Sequence, residues 1–450
     1  MQIVVVGAGV VGEAICKELS EEGHDIVLIE QKEEVLNRLV ENHDITGLVG
    51  NGASYENLLE ANTDHADIFI AVTEADEINI ISCIIARKLG VKYTMARVRN
   101  PEYSTDMKFV RDELGISRML NPEQEAARSI VNKLKFPNAL GVEEFFMGKA
   151  NIIILKINEG SKLLGVKIKD IEFKQEERVL ICIIQRGSKI FIPNGEIKLE
   201  LGDSISVIGT IEAVSKFYNR LGYRNRYINS SMIIGGGMLS HYLVEKLIKN
   251  NVQVKVVEES EKRTVKLSEK YPKAEVILGK ETDQEFLLSE GIKNYDSVVT
   301  LTDKDEENII ISMFADTVTD AKVITKMNNT LLLPILENQN LTSTVVPKKI
   351  ITDIIVRVVR SKSNTRGSKM NTLYRMCDNK VEVIIFEING NSKALNIPLR
   401  DLNIKSNYMI ACISRGNEII YPGGNDVILE NDRVMVVTTK KATEVFDDII

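Results

Sequence analysis

Three glycines near the start of the chain have the spacing of a loop that binds a diphosphate. Gly7, Gly9 and Gly12 lie between the apolar segment 2–6 and an amphipathic segment. Between a strand and a helix, the first glycine permits a tight turn and the second lets the backbone approach a diphosphate, while the third allows close helix–strand packing. The helix N-terminus adds N–H groups and positive potential. The spacing predicts a nucleotide-binding loop.

A carboxylate follows where the ribose of such a nucleotide would lie. Glu30 ends the next apolar segment, about 18 residues after Gly12. There it can accept hydrogen bonds from both hydroxyls of an adenosine ribose, each worth roughly 1.5–3 kcal/mol because the acceptor is charged. A 2′-phosphate would be repelled, so the sequence favours NAD(H) or an adenine nucleotide over NADP.

The loop and the carboxylate recur in the second half of the chain, at a nearly constant distance of about 228 residues. Glycines 235–237 repeat the loop, and Glu258 repeats Glu30. Ser240 stands in place of Gly12, where a small side chain can still pack against the sheet. The recurrence predicts a second nucleotide site, which the serine could weaken.

Polar residues also recur where the fourth and fifth strands of each half are expected to end. Ligands of open α/β sheets bind across the carboxyl ends of the strands, so these side chains could reach a ribose or a phosphate. Each alone is more often a solvated or capping residue, but recurrence at matched positions favours binding. They are Thr73, Glu74 and Arg97 in the first half, and Thr302, Asp303 and Lys326 in the second.

Alternating strands and helices must position these residues. The first half has apolar segments at about 2–6, 25–30, 44–49, 67–72 and 92–97, and helical patterns at 13–22 and 76–89. Strands that are apolar throughout are typical of parallel sheets covered on both faces. The pattern predicts an α/β fold with a doubly wound, Rossmann-like sheet, and the second half repeats it.

A smaller unit, rich in Ile and Val, follows each large one. Tight-turn sequences such as Pro-Asn-Gly at 193–195 and Pro-Gly-Gly at 422–424 predict a mixed α/β fold with hairpins. The predicted order is a nucleotide-binding unit at 1–122, a linker helix at 123–140, a small unit at 141–226, a second nucleotide-binding unit at 227–347, a second linker helix at 348–369 and a second small unit at 370–450.

The two linker helices carry an apolar stripe at about 123–136 and 348–361. They could pack on their own unit, or they could be exchanged or paired between subunits. The sequence leaves both alternatives open.

Composition excludes several classes of function. The 450 residues are 44% hydrophobic and 27% charged, as in an ordinary globular protein. A net charge of −7 argues against binding nucleic acid through its phosphates. The five cysteines are scattered and form no Cys-x-x-Cys pair, which indicates free thiols in a reducing compartment. No apolar run is long enough for a membrane span, so we expect a cytoplasmic protein. The four histidines have no metal-ligand spacing, so we expect no zinc site.

Residues for catalysis are not evident. Hydride transfer needs an acid or base beside the reacting carbon. Tyr242 and Lys246 have the spacing used by short-chain dehydrogenases, but they lie in the helix after the second glycine loop, where that chemistry does not occur. We interpret the spacing as chance and expect no enzyme, with an NAD-dependent oxidoreductase as the alternative.

The order of motifs in the first half resembles a known family. After the glycine loop and the acidic strand end come Gly-Asn-Gly-Ala at 50–53, Thr-Glu-x-Asp-Glu-x-Asn at 73–79 and Ala-Arg-Val-Arg-Asn-Pro-Glu-Tyr at 96–103. This order resembles the N-terminal half of the domains that regulate potassium conductance (RCK domains), and the small units resemble the C-terminal half, RCK_C. Two copies in one chain are similar to the peripheral NAD-binding subunits of Trk potassium-uptake systems.

The resemblance implies a cytoplasmic ring, built as a homo-oligomer such as a dimer or tetramer, beneath a membrane potassium-translocating subunit of the TrkH or TrkG type. NAD(H), or ATP or ADP, would bias the ring between shapes. No nucleic acid or metal is implied. A nucleotide-sensing module of another membrane protein is a further alternative.

Carried over to matched positions, the resemblance implies two binding sites. The first is Gly7, Ala8, Gly9, Val10, Val11, Glu30, Asn51, Thr73, Glu74 and Arg97; the second is Gly235, Gly236, Gly237, Met238, Leu239, Glu258, Thr302, Asp303 and Lys326. The departures at Ser240 and Lys326, where the first half has glycine and arginine, could leave the second site weaker or selective for another nucleotide.

Overall fold

The computed structural model places most of the chain in two compact units. One unit comprises Met1–Val131 and Ile228–Val359, and the other comprises Asn132–Tyr227 and Arg360–Ile450. The described residues are 1–100, 111–172, 178–221, 228–333, 336, 341, 343–363, 370–376, 380–416, 418–440, 443 and 445–450.

The first half of the first unit is a six-stranded parallel sheet with the order β3-β2-β1-β4-β5-β6. Its strands are β1 (Gln2–Val6), β2 (Asp25–Glu30), β3 (Thr46–Val49), β4 (Ile68–Ala71), β5 (Tyr93–Arg97) and β6 (Arg118–Leu120). Its helices are α1 (Val10–Glu21), α2 (Glu33–Asn42), α3 (Tyr55–Glu60) and α4 (Asp76–Leu89). The strand order reverses between β1 and β4, which opens a crevice at their carboxyl ends.

The second half repeats this sheet with the order β14-β13-β12-β15-β16-β17, again parallel throughout. Its strands are β12 (Ser230–Ile234), β13 (Gln253–Glu258), β14 (Glu275–Leu278), β15 (Ser297–Thr300), β16 (Lys322–Lys326) and β17 (Thr344–Val345). The predicted duplicated, doubly wound α/β fold is confirmed. The sixth strands β6 and β17 were not predicted, because each has only two or three residues and carries little pattern.

Helices α5 (Pro122–Lys135) and α11 (Pro347–Ser363) follow the two sheets. Helix α11 does not remain beside its own sheet: Ile351, Ile355 and Val359 are buried in the core of the first half, with Ile15 and Leu28. The second half therefore supplies a helix to the first half within one chain. The sequence left open packing on the helix's own unit or exchange between subunits; the structure shows an exchange between the two halves of one chain.

The remaining helices are α6 (Ile211–Arg220), α7 (Met238–Lys249), α8 (Glu261–Lys270), α9 (Gln284–Ser289) and α10 (Asp305–Val318). Helices α7 to α10 cover the second sheet as α1 to α4 cover the first. Helix α7 begins directly after its glycine loop at Gly237, as α1 begins after Gly9. The predicted start of the first helix, at 13, was therefore three residues late, because the glycine motif itself overlaps the first turn.

The second compact unit contains two antiparallel sheets, with the orders β10-β9-β11-β8-β7 and β18-β19-β22-β20-β21. Their strands are β7 (Gly141–Phe145), β8 (Ala150–Lys156), β9 (Leu180–Arg186), β10 (Lys189–Phe191), β11 (Ser204–Gly209), β18 (Met370–Met376), β19 (Val381–Glu387), β20 (Tyr408–Arg415), β21 (Glu418–Ile420) and β22 (Arg433–Thr438). The sheets share a core that includes Cys182, Ile183, Cys412 and Met435.

An arginine–aspartate pair recurs in these two sheets. Arg186 Nε lies 2.8 Å from Asp203 Oδ1, and Arg415 Nε lies 2.9 Å from Asp432 Oδ1. Both carboxylates are buried, so each pair is a charge-assisted contact at the same place in its small unit.

Four cysteines, Cys16, Cys83, Cys182 and Cys412, are buried free thiols, and Cys377 lies outside the described residues. Within the described ranges, no helix combines the length and apolar character needed to cross a bilayer.

Candidate functional site

The first glycine loop has the geometry that the motif predicts. Gly7 has φ +102°, and a Cβ there would lie 3.0 Å from the Thr73 nitrogen. A Cβ on Gly12 would lie 1.9 Å from the Gly7 carbonyl oxygen, whereas a Cβ on Gly9 would meet nothing within 4 Å. Gly9 therefore borders open space, and no side chain caps α1, so the N–H groups of its first turn can face an anion.

Glu30 is oriented by the loop itself. Its Oε2 accepts a 2.8 Å hydrogen bond from the Ala8 N–H, and its Oε1 accepts a 3.0 Å bond from the Lys32 N–H. Among the described residues each oxygen thus accepts one bond, and each retains further acceptor capacity. The side chain is partly exposed, so a ribose could reach it.

The cavity bordered by Gly9, Glu30, Val35, Arg97 and Lys348 is here called the first cleft, and its volume is about 700 Å³. Lys348 belongs to α11, so the second half contributes to this cleft. The loop residues 7–11 border the cleft; Val11 is buried in the core, whereas Val10 is 57% exposed.

Arg97 brings an unpaired donor to the first cleft. Its Nε is buried without a hydrogen-bond partner among the described residues, as is the Nε of Arg99. Burial lowers the pKa of Arg97, and the nearby charge of Arg99 lowers it further. A half-buried cation with an unused donor at its buried Nε fits an anionic ligand, because an anion would supply both the hydrogen bond and the countercharge.

Thr73 stabilises the wall of the cleft through hydrogen bonds to Asn79. Its N–H and its hydroxyl both donate to Asn79 Oδ1, at 2.8 and 2.7 Å, and the Asn79 amide donates to the carbonyl oxygens of Thr73 and Arg97. Asn79 therefore ties the ends of β4 and β5 together. Asn51 lies outside the residues that border the first cleft, and its Oδ1 accepts from the Ala53 N–H.

The second glycine loop has the same turn with a different third position. Gly235 has φ +106°, like Gly7. Ser240 is buried, and its hydroxyl donates to the Gly235 carbonyl oxygen. A small side chain is accommodated there, as expected, because its hydroxyl bonds to the loop.

The cavity bordered by Gly237, Arg263, Lys326, Arg97 and Glu123 is here called the second cleft, with a volume of about 930 Å³. Met238 and Leu239 border it too. Thr302 is not among the bordering residues; it is buried, and its N–H is bonded to Asn308 Oδ1 at 2.8 Å. Glu123 and Arg97 come from the first half. Each half therefore contributes residues to the cleft of the other.

Glu258 differs sharply from Glu30. It is fully buried, and its Oε2 accepts a 2.6 Å bond from the Gly236 N–H. Its Oε1 accepts from the Ser260 N–H at 2.7 Å and from Arg263, with Nε at 2.9 Å and Nη2 at 2.8 Å.

Arg263 also spans the cleft to the end of β15. Its Nη1 lies 3.2 Å from Asp303 Oδ2, so one guanidinium joins two of the predicted site residues. Burial opposes the charge of Arg263, but the carboxylates of Glu258 and Asp303 raise its pKa above the ordinary value. Lys326 donates to the Thr302 carbonyl oxygen at 3.1 Å, and burial lowers its pKa.

A second acidic side chain lies close to Glu258. Glu281 is buried at the position that Gly52 occupies in the first half, and its Oε1 has no hydrogen-bond partner among the described residues. Burial, together with the nearby charges of Glu258 and Glu259, raises the pKa of Glu281 to about 8.

Several of these residues were not found from the sequence. Arg263 and Glu281 interrupt the repeat, since Val35 and Gly52 occupy their positions in the first half, and that mismatch was the available signal. Lys348 gave no signal, because only the fold brings α11 to the first cleft.

The Tyr242–Lys246 spacing has a structural explanation. The Tyr242 hydroxyl donates to the Arg99 carbonyl oxygen at 3.2 Å and accepts from the Asn121 amide at 2.8 Å, so it joins the two halves. Burial and the charges of Lys270 and Lys266 lower the pKa of the neighbouring His241 to about 4. In the described part of the chain, no cluster of His, Cys, Asp or Glu has the makings of a metal site.

Two known domain families each match the chain twice, in agreement with the duplication. The TrkA-N domain family matches residues 3–122 and 231–347, and the TrkA-C domain family matches residues 152–222 and 383–450.

Curated relatives match along the full length. The chain is 30% identical to the Trk system potassium uptake protein TrkA homolog 2 of Methanosarcina mazei, over 98% of each chain. It is 27% identical to the Trk system potassium uptake protein TrkA of Haemophilus influenzae, over 98% of this chain and 96% of the relative. A solved structure of the GsuK channel bound to NAD has a similar fold, with a TM-score of 0.63 at 15% identity, over 98% of this chain and 77% of that one.

Proposed function

The chain belongs to the TrkA family, and on that premise we propose that it is the regulatory subunit of a Trk-type potassium-uptake system. The observation that carries this proposal is the full-length match: both copies of the TrkA-N and TrkA-C domains are present, and potassium-uptake relatives align over 98% of the chain.

The regulatory ligand is NAD(H) or an adenine nucleotide such as ATP or ADP. The first cleft fits it, because Gly9 borders open space, Glu30 keeps acceptor capacity for a ribose, and Arg97 has an unused buried donor. The N-terminus of α1 would face the phosphates, and Glu30 would orient the ribose. The bound nucleotide supplies charge and contacts, and no chemical step is required of it.

The way the halves are joined provides a route from ligand to conformation. Lys348 of the second half borders the first cleft, and Glu123 of the first half borders the second cleft. A nucleotide touches groups from both halves, so its affinity depends on how they are arranged. Nucleotides then shift the balance between arrangements by their different affinities for each.

The partner is a membrane subunit of the TrkH or TrkG type that conducts potassium. The chain assembles with copies of itself, as a dimer or tetramer, into a cytoplasmic ring at the inner face of the membrane. Change in the shape of that ring opens or closes the pore.

The protein acts without catalysis. The Tyr242 hydroxyl is held between Asn121 and Arg99, and burial raises the pKa of the Cys16 thiol to about 12. Neither group is available as a nucleophile or proton carrier near neutral pH.

The test has two parts. Calorimetric titration of the purified protein with NAD, NADH, ADP and ATP should show saturable binding of at least one of them. Affinity purification from solubilised membranes should recover a potassium-translocating protein. Recovery of a membrane partner that conducts no potassium would refute the proposed function, while leaving nucleotide binding intact.

A further inference from the structure

The two clefts share a plan but differ in what a ribose would meet. In the first cleft, each oxygen of Glu30 accepts one backbone bond, and Val35 borders the space beside it. In the second cleft, Arg263 stands at the matched position on α8 and bonds to Glu258.

Glu258 has no capacity left on the oxygen that faces Arg263. Three donors share Oε1: the Ser260 N–H and two nitrogens of Arg263. A carboxylate oxygen offers about two lone-pair positions, so a ribose hydroxyl would have to displace one of these donors. The carboxylate is also 0% exposed, so no ligand atom reaches it without a rearrangement.

The second glycine loop also favours the buried position of Glu258. A Cβ on Gly236 would lie 2.7 Å from Glu258 Oε2, and the first half has Ala8 at this position. The missing methyl group lets Glu258 sit deeper against the loop, with a 2.6 Å bond from the Gly236 N–H. Arg263 then reaches Asp303 Oδ2 at 3.2 Å, on the other side of the cleft.

We infer that Arg263 occupies the ribose position of the second cleft and closes it to adenine nucleotides, so that each chain binds nucleotide through the first cleft alone. This inference rests on the proposed nucleotide binding and specifies which cleft performs it. Arg263 is thus a specificity-determining residue, and its matched residue Val35 leaves the first cleft open.

Opening the second cleft should add a binding site. The measurement is equilibrium dialysis of the full-length protein with radiolabelled ADP, and separately with labelled NAD, to count nucleotides per chain. Wild type should bind one, and Glu30→Ala should lose it. Arg263→Val, which installs the residue of the first half, should bind two. Lys262→Ala removes a charge from the same helix and should still bind one.

A second variant removes the excess negative charge that Arg263→Val leaves beside Glu258. Without Arg263, the carboxylates of Glu258 and Glu281 lie near each other, so Arg263→Val/Glu281→Gln removes the excess negative charge. The reverse change, Val35→Arg, should weaken binding in the first cleft at least tenfold. Thermal denaturation confirms that each variant is folded.

The outcomes separate the two claims. Two nucleotides per wild-type chain, one of them lost in Glu258→Ala, would overturn the closure by Arg263 and leave the proposed function standing. One nucleotide in wild type and still one in both folded Arg263 variants would overturn it as well. No binding of either nucleotide by any variant would contradict the proposed function together with the inference.

Discussion

The first and second clefts descend from one sequence pattern, yet their carboxylates are in opposite states. Glu30 is half-buried and has acceptor capacity, whereas Glu258 is fully buried and bonded to Arg263. The glycines and the carboxylate are therefore not enough to define a nucleotide site. The residue five positions after the carboxylate decides whether a ribose has room.

The largest expected effect lies at the third glycine position, where the halves differ by Gly12 and Ser240. In Gly12→Val, the new Cβ would fall 1.9 Å from the Gly7 carbonyl oxygen, and backbone would have to move. We expect a loss of about 3 kcal/mol in the free energy of unfolding, measured by urea denaturation.

The matched control for that change is Ser240→Gly. It removes one buried hydrogen bond to Gly235 and should cost about 1 kcal/mol. A loss of about 1 kcal/mol or less in Gly12→Val would mean that the first loop tolerates a side chain as the second does, and would contradict the contrast between them.

The second effect concerns the pH dependence of stability. Glu281 has its pKa raised from 4.5 to about 8 in the folded state, so the folded protein retains a proton that the unfolded chain loses. Stability should therefore fall as pH rises from 4.5 to 8. Glu281→Gln should remove part of this decline and gain ~2 kcal/mol over wild type at pH 8, a value discounted for solvent screening.

Urea denaturation at pH 5, 6.5 and 8 would measure this difference. The substitution should matter least at pH 5, where the carboxyl is protonated in the folded protein. A gain that is the same at all three pH values would show that Glu281 does not titrate in this range.

The third effect compares how much each of the two carboxylates contributes to nucleotide binding. Glu30→Ala removes the ribose acceptor of the first cleft and should weaken nucleotide binding by at least about 1.5 kcal/mol. Glu258→Ala should leave the affinity and the number of bound nucleotides unchanged, because Arg263 already occupies its carboxylate. Calorimetric titration of both variants compares them, and equal losses would mean that the clefts are equivalent.

The smallest effect compares the cations at the ends of the fifth strands. Arg97→Ala should weaken ADP binding by about 1 kcal/mol, the upper end for an ion pair open to solvent, and less at high salt. Lys326→Ala should have no effect on that affinity, since its ammonium is bonded to the Thr302 carbonyl oxygen in the other cleft. The same titration at two salt concentrations would check both, and a loss in Lys326→Ala alone would reverse the assignment.

The duplicated parallel sheet was predictable because its signals are local. Apolar strands, glycine loops and acidic strand ends each occupy a few consecutive residues, and their recurrence reinforced the prediction. The positions of Glu30 and Gly9 followed from the same motif. Strand β17 carried too little pattern to predict, with only two residues.

The remainder of the site depends on contacts between distant segments. Lys348 reaches the first cleft only because α11 packs on the other half of the chain. Likewise, no local pattern indicates that the Thr73 hydroxyl donates its hydrogen bond to Asn79. Arg263 was visible as a mismatch with Val35, but its bonds to Glu258 and Asp303 required the folded geometry.

The most direct test of the central claim is potassium flux through the membrane subunit, reconstituted in vesicles with this protein. Flux would be followed while the nucleotide that binds in calorimetry is added, with wild type, Glu30→Ala and Glu258→Ala compared. We expect the nucleotide to change the flux with wild type and with Glu258→Ala, and to lose that effect with Glu30→Ala. A flux that does not respond to nucleotide with wild type would contradict the account.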